Sequence, residues 1–283
     1  MQLIETVAAM KDQVAAWKAE GLTVGLVPTM GSLHAGHESL MDASRAACDR
    51  VVVSVFVNPI QFGPNEDYDA YPRDIDHDSQ VCEAHGVDAI FHPEPEEMYP
   101  ENYSTFVVME TLTDALCGAS RPGHFRGVCT VVNKLFNIVQ PDLAFFGQKD
   151  AQQLAIIKRM VADLNMNVRV VGCPIVRESD GLAKSSRNAY LSPEEREAAL
   201  VLSQAVRAGE AAVAAGERNA SVVRDLMRAI IEEEPLARID YIEVVDGLTM
   251  QPVEVIGTSA LIALAVYIGS TRLIDNFLYE EGE

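Results

Sequence analysis

Apolar runs alternate with helically spaced apolar residues through the first part of the chain. Residues 22–28 (LTVGLVP) and 50–57 (RVVVSVFV) are near-continuous apolar runs. Between them, residues 36–48 (GHESLMDASRAAC) carry apolar residues at helical spacing. Strands buried on both faces and joined by a helix predict a βαβ unit with parallel strands. The rhythm repeats: helix 75–85 precedes strand 88–92, helix 127–139 precedes strand 141–147, and helix 150–164 leads into strand 167–172. This predicts a doubly wound, Rossmann-like parallel α/β sheet. Ahead of it, residues 1–21 predict an amphipathic helix rather than a signal peptide.

The texture changes near residue 176. Ser192, Pro193 and Glu195 supply an N-cap, a proline at the first helical position and a capping-box glutamate. They predict a long helix, followed by a second over 220–233 and two strand-like runs at 239–246 and 260–269. The organisation expected is a first domain over 1–176 and a smaller α+β C-terminal domain over 177–283.

Composition narrows the function. The chain has 283 residues, 48% apolar and 23% charged, with a formal net charge of −20. That balance opposes nonspecific nucleic-acid binding, which needs a basic face. Any anion site must be built from locally gathered Lys, Arg and backbone N–H groups. The five cysteines form no CxxC pair, which opposes a disulfide framework or a structural zinc site. The longest apolar run, residues 260–268, is too short to span a bilayer. A cytoplasmic protein with no membrane partner is expected.

Candidate chemistry lies where strands end. In PTMGSLHAGH, residues 28–37, two histidines stand three apart among two glycines and a proline, at a strand's carboxyl end and a helix start. Such a place favours anions, and His34 and His37 could donate to phosphate. Spacing alone leaves three readings open: helix caps, phosphate ligands or a metal pair. GQKD, residues 147–150, is again a strand end feeding a helix, with Lys149 as a point charge and Asp150 as a candidate N-cap. In GLAKSSRN, residues 181–188, Lys184, Ser185, Ser186 and Arg187 put two cations and two hydroxyls in a row. Asn58 and Gln61 bring amides to the end of the second strand, while Arg121, His124 and Arg126 form a basic stretch ahead of a helix. No GxxxxGK[ST] loop occurs, so any nucleotide site is of another kind.

Taken together, VPTMGSLHAGH, SVFVNPIQF, YPRD, RPGHFRGVCTVV, FFGQKDAQQL, DGLAKSSRN and RLIDN resemble, in order, the motifs of the pantoate–β-alanine ligase (pantothenate synthetase) family, from near Met1 to about Asn276. The resemblance implies the cytidylyltransferase-like superfamily, related to class I aminoacyl-tRNA synthetases, with HAGH where those enzymes carry HIGH and KSSR where they carry KMSKS. It implies that ATP and (R)-pantoate form pantoyl adenylate, which β-alanine converts to pantothenate and AMP. Magnesium would accompany ATP, with no metal held by the protein itself, and the chain would form a homodimer. By the same resemblance ATP lies along Met30, Gly31, Ser32, Leu33, His34, Ala35, Gly36 and His37. It continues along Gly147, Gln148, Lys149 and Asp150, meets the backbone of Val176, and ends on Lys184, Ser185, Ser186 and Arg187. His37 is implied as proton donor and His34 as its companion on the phosphates, with Lys149 and Arg187 completing the catalytic set. Gln61 and Gln153 would hold pantoate, Gln61 also near β-alanine, with Asn58, Tyr71 and Arg121 around the pocket. One position departs from the family pattern: Lys184 stands where an apolar residue is common. A nucleotidyltransferase or a noncatalytic nucleotide sensor on the same fold are the competing readings. The paired amides and the full C-terminal domain favour the ligase.

Overall fold

The computed structural model describes residues 1–64 and 66–282, which divide into two compact units. The first comprises residues 1–109, 121–148 and 153–174, and the second 110–120, 149–152 and 175–283.

In chain order the first unit contributes β1 (Gln2–Ile4), α1 (Val7–Ala19), β2 (Val24–Thr29), α2 (Ala35–Ala47), β3 (Arg50–Val55), α3 (Ile75–Ala84), β4 (Ala89–Phe91) and α4 (Pro95–Met98). After α5 (Leu116–Ser120), which belongs to the second unit, come α6 (His124–Val139), β5 (Leu143–Gly147), α7 (Ala151–Asp163) and β6 (Arg169–Cys173). The six strands form one sheet in the order β1-β4-β3-β2-β5-β6, and every strand pairing in it is parallel. The chain runs from β2 to β3 on one side and reaches β5 on the other. The topological switch point, where open α/β sheets take ligands, therefore lies at the carboxyl end of β2.

The buried runs become strands because both sheet faces are covered. Val27, Met41, Val51, Val53, Ile90 and Phe145 share one core beneath α2, all at most 2% exposed. Each such side chain contributes about 1.5–3 kcal/mol relative to exposure.

The N-terminal segment differs from expectation. It is not one helix: residues 2–4 add an edge strand, paired Gln2↔Ala89 to Ile4↔Phe91, before Thr6 caps α1. Three residues are too few to show a strand periodicity.

The second unit packs α8 (Pro193–Ala198), α9 (Leu200–Ala214) and α10 (Ala220–Glu232) with an antiparallel sheet, β7 (Ala237–Asp246), β8 (Ser259–Ile268) and β9 (Thr271–Glu280). The predicted capping box is present: Glu195 N–H donates to Ser192 Oγ at 3.2 Å, and Ser192 N–H to Glu195 Oε2 at 2.9 Å. Two expectations fail here. The long helix breaks at Ala199, between α8 and α9, and a third strand, β9, follows the two predicted. The apolar run of residues 260–268 is the central strand β8. No helix among the described residues is long and apolar enough to cross a membrane.

Candidate active site

The PTMGSLHAGH loop leaves β2 under tight backbone control. Thr29 Oγ1 donates to Ser54 O (2.7 Å) and accepts Gly31 N–H (3.1 Å), tying the loop to the end of β3. Gly31 and Ser32 then take left-handed backbone conformations, with φ of 83° and 52°. A side chain at Gly31 would also meet Asp78 Oδ2 at 2.8 Å. Asp78, buried on α3, is the loop's second anchor. Its carboxylate accepts Ser32 N–H at 3.0 Å and Leu33 N–H at 2.8 Å. Burial pushes the Asp78 carboxyl above its ordinary value, and the two N–H donors oppose that rise.

The two histidines close the first turn of α2. His34 is the N-cap, its Nδ1 accepting Gly36 N–H at 3.1 Å, while His37 Nδ1 accepts His34 N–H at 3.3 Å. Their ring centroids are 4.1 Å apart. Both rings therefore spend Nδ1 as an acceptor, so in each neutral imidazole the proton sits on Nε2. The capping and ligand readings of the sequence are compatible: one nitrogen caps, and the other is left as the donor-bearing atom.

At the end of β3 a 3-10 turn, Pro59–Gln61, carries a buried amide network. Asn58 Nδ2 donates to Gln61 Oε1 (2.9 Å) and Gly127 O (3.2 Å), and Asn58 Oδ1 accepts from Tyr99 OH (2.8 Å). Gln61 Nε2 faces Met30 Sδ at 3.0 Å. A Cβ on Gly127 would lie 2.5 Å from Gln61 Cα and Ile60 O, so α6 meets the turn only through a glycine. The basic stretch is not merely solvated. Arg121 makes a two-pronged ion pair with Glu66 at 2.6 and 2.7 Å and touches His124 Nε2 at 3.0 Å, while His124 Nδ1 reaches Gln61 O at 2.9 Å. Burial raises the Glu66 carboxyl, but the hydrogen bonds and charge of Arg121 outweigh it and hold the group at about 2. Tyr71 is buried near Phe62, ring centroids 6.1 Å apart, and Gln153 is half-buried on the first turn of α7.

Gly147 ends β5, and Gln148–Asp150 form a 3-10 turn ahead of α7, half-buried at Lys149 and exposed at Asp150. In the second unit, Lys149 O accepts from Asn276 Nδ2 at 2.8 Å. Its neighbour on β9, Asp275, is 1% exposed and binds Arg177 through both oxygens, at 2.7 and 2.9 Å. Arg177 pairs across a bridge with Ala183, and Lys184 N–H donates to Val176 O at 2.9 Å. The 176–184 hairpin is thus pinned to the sheet. Ser185 Oγ accepts Arg187 N–H at 3.3 Å, starting the 3-10 turn Ser186–Tyr190. The unusual Lys184 directs its Nζ to Glu178 Oε1 at 2.6 Å.

Sequence reasoning missed Asp78, Glu66, Tyr99 and Gln152. Gln152 is buried and holds the 110–120 segment by donating to Leu112 O (2.9 Å) and Ala115 O (2.8 Å). Each is a distant acceptor or donor for another residue's backbone or side chain, and no local spacing marks such a role. Among the described residues, no group of three or more His, Cys, Asp or Glu side chains stands close enough to hold a metal ion. The metal-pair reading of the histidines therefore finds no partners among them. All five cysteines are free.

Comparison with known proteins finds matches over nearly the whole chain. A family model described as pantoate-beta-alanine ligase matches residues 2–278. Pantothenate synthetase of Clostridium novyi is 59% identical over 283 residues, covering all of both chains, and that of Heliobacterium modesticaldum is 59% identical over 280 residues, covering 99% of this chain and all of the relative. A crystal structure of the Thermus thermophilus enzyme superimposes with a TM-score of 0.93 at 46% identity, over 98% of this chain and 99% of that one. The Francisella tularensis ligase, solved in complex with beta-gamma ATP and beta-alanine, gives 0.80 at 33% identity, over 98% and 97%.

Proposed function

Because the chain belongs to the pantoate–β-alanine ligase family, we propose that it joins (R)-pantoate to β-alanine using ATP, through a pantoyl adenylate. A pantoate carboxylate oxygen attacks the α-phosphorus, forming an acyl–phosphate bond while the α–β bond breaks and pyrophosphate leaves. The uncharged amine of β-alanine then attacks the acyl carbon. The amide bond forms, AMP leaves with the acyl oxygen, and one amine proton goes to solvent or to phosphate.

The observation that carries this reading is the histidine pair at the switch point, each ring capped through Nδ1. Charge builds on the α-phosphate oxygens in the first step, and no covalent enzyme intermediate is needed. Catalysis is then positioning and charge stabilisation. His37 Nε2–H is the donor to that charge, with His34 beside it on the phosphates. Residues 30–37, 147–150 and 184–187 contact ATP, with Lys149 and Arg187 as its cations and Val176 meeting adenine through its backbone. Lys184 takes part through its backbone, since its ammonium is matched by Glu178. Gln61 and Gln153 hold pantoate; Asn58 and Arg121 support Gln61, and Tyr71 lines the same region. Magnesium enters as the MgATP complex, held by the phosphates. The protein acts in the cytoplasm as a homodimer.

The test is AMP release by purified protein, which should require both pantoate and β-alanine. Pyrophosphate release with a stable nucleotidyl product would instead make the protein a nucleotidyltransferase.

A further inference from the structure

Gln61 can hold pantoate through its amide N–H only if that amide is turned one way, and the network around Asn58 decides which way. The Gly127 carbonyl oxygen can only accept, so the Asn58 group facing it at 3.2 Å must be Nδ2. Asn58 Oδ1 then faces Tyr99, whose hydroxyl donates to it at 2.8 Å. The second Nδ2 hydrogen goes to Gln61 at 2.9 Å, so the Gln61 atom there must be Oε1. Gln61 is left presenting its NH2 group toward Met30 Sδ. A thioether is a weak acceptor, readily exchanged for a substrate oxygen.

Resting on the assignment of Gln61 to pantoate, we propose that Tyr99 is a positioning residue: the Gly127 carbonyl sets which way the Asn58 amide is turned, and the Tyr99 hydroxyl, donating to Asn58 Oδ1, holds that amide in place and with it the Gln61 N–H toward the substrate oxygen. Asn58 is 1% exposed, away from bulk solvent, and its amide atoms face protein groups. Burial raises the Tyr99 phenol well above its ordinary value, and the group remains an O–H donor across the working range of pH. The ring itself is held separately, by Phe56 and Tyr103 at centroid distances of 6.2 and 5.1 Å and by Lys134 Nζ at 5.6 Å. Removing only the hydroxyl leaves this packing in place. The buried Asn58 Oδ1 loses its donor, the Asn58 side chain keeps only its Nδ2 contacts, and the Gln61 amide that it steadies faces the substrate oxygen for only part of the time.

The experiment is a double-mutant cycle of Tyr99→Phe and Gln61→Ala, read as KM for pantoate, KM for ATP and kcat, with thermal midpoints as the folding control. Tyr99→Phe should raise pantoate KM about tenfold with ATP KM unchanged, a change equivalent to about 1.4 kcal/mol. Gln61→Ala should raise pantoate KM at least as much. In the Gln61→Ala background, Tyr99→Phe should add less than about twofold, because residues acting through one contact are not additive. Full additivity would overturn the proposal, since a general structural effect of Tyr99 does not need Gln61. So would an unchanged pantoate KM in Tyr99→Phe while Gln61→Ala is impaired. An unchanged pantoate KM in Gln61→Ala would overturn the proposal together with the assignment of Gln61 itself.

Discussion

At His37 the nitrogen that accepts His34 N–H also determines where the neutral ring carries its proton. Substituting alanine removes both the acceptor of the His34 N–H and the donor. That hydrogen bond is worth about 1 kcal/mol of stability, whereas losing one preorganised donor to developing charge costs about 10²–10³ in rate. We expect His37→Ala to stay folded, with a slightly lower thermal midpoint, and to lose pantoyl adenylate formation in quenched reactions of ATP with pantoate. Near-normal adenylate formation would refute the role. At this scale the sequence marks His34, His37, Asn58, Gln61 and Lys149, because polar side chains stand at strand ends. It does not mark Asp78 or Tyr99, whose partners lie 45 and 46 positions (Asp78) and 41 positions (Tyr99) away in the chain. Nor does spacing reveal that Lys184 faces Glu178.

Among elements, the β2–α2 loop depends on α3 through one side chain. Asp78→Ala removes the acceptor of the buried Leu33 N–H, at about 1–3 kcal/mol, and of the half-buried Ser32 N–H. We expect hydrogen exchange at Ser32 and Leu33 to speed up by about tenfold or more while α9 amides stay protected; equal protection in both proteins would show that the loop holds itself. In the second unit, Asp275→Ala leaves Arg177 without its buried partner and should lower that unit's denaturant stability by about 3 kcal/mol. A change below about 1 kcal/mol would mean that the pair is solvated. The parallel strands and their helices are legible because burial on both faces leaves long apolar runs. β9 is not: Arg272, Asp275 and Asn276 interrupt its pattern, and these are the polar groups that fasten Asp240, Arg177 and Lys149. The break at Ala199 is equally silent, since good helix formers stand on both sides of it.

For the molecule as a whole, the acidic balance makes low pH an informative stress. The Glu66 carboxyl has a folded value of about 2, below its ordinary value of 4.5. The stability it contributes is fully present above about pH 4.5 and is lost as pH falls toward 2. Glu66→Gln should therefore cost roughly 1 kcal/mol at pH 6, after allowance for partial exposure, and almost nothing near pH 2. Denaturant midpoints at the two pH values check this, and a penalty independent of pH would mean that the loss is one of packing. Fold class and family are readable across nearly the whole chain, because five of the seven motifs stand where strands and helices of the parallel unit end or begin, and the other two fall in the second unit. The supporting residues are invisible for the opposite reason: they act between segments far apart in sequence.

The most direct test of the acyl-adenylate route follows the carboxylate oxygen. Pantoate labelled with ¹⁸O in its carboxylate is turned over with MgATP and β-alanine, and the products are weighed by mass spectrometry. If that oxygen attacks the α-phosphorus, one ¹⁸O appears in AMP and none in pyrophosphate. Label in inorganic phosphate or pyrophosphate, or AMP without label, would contradict the mechanism.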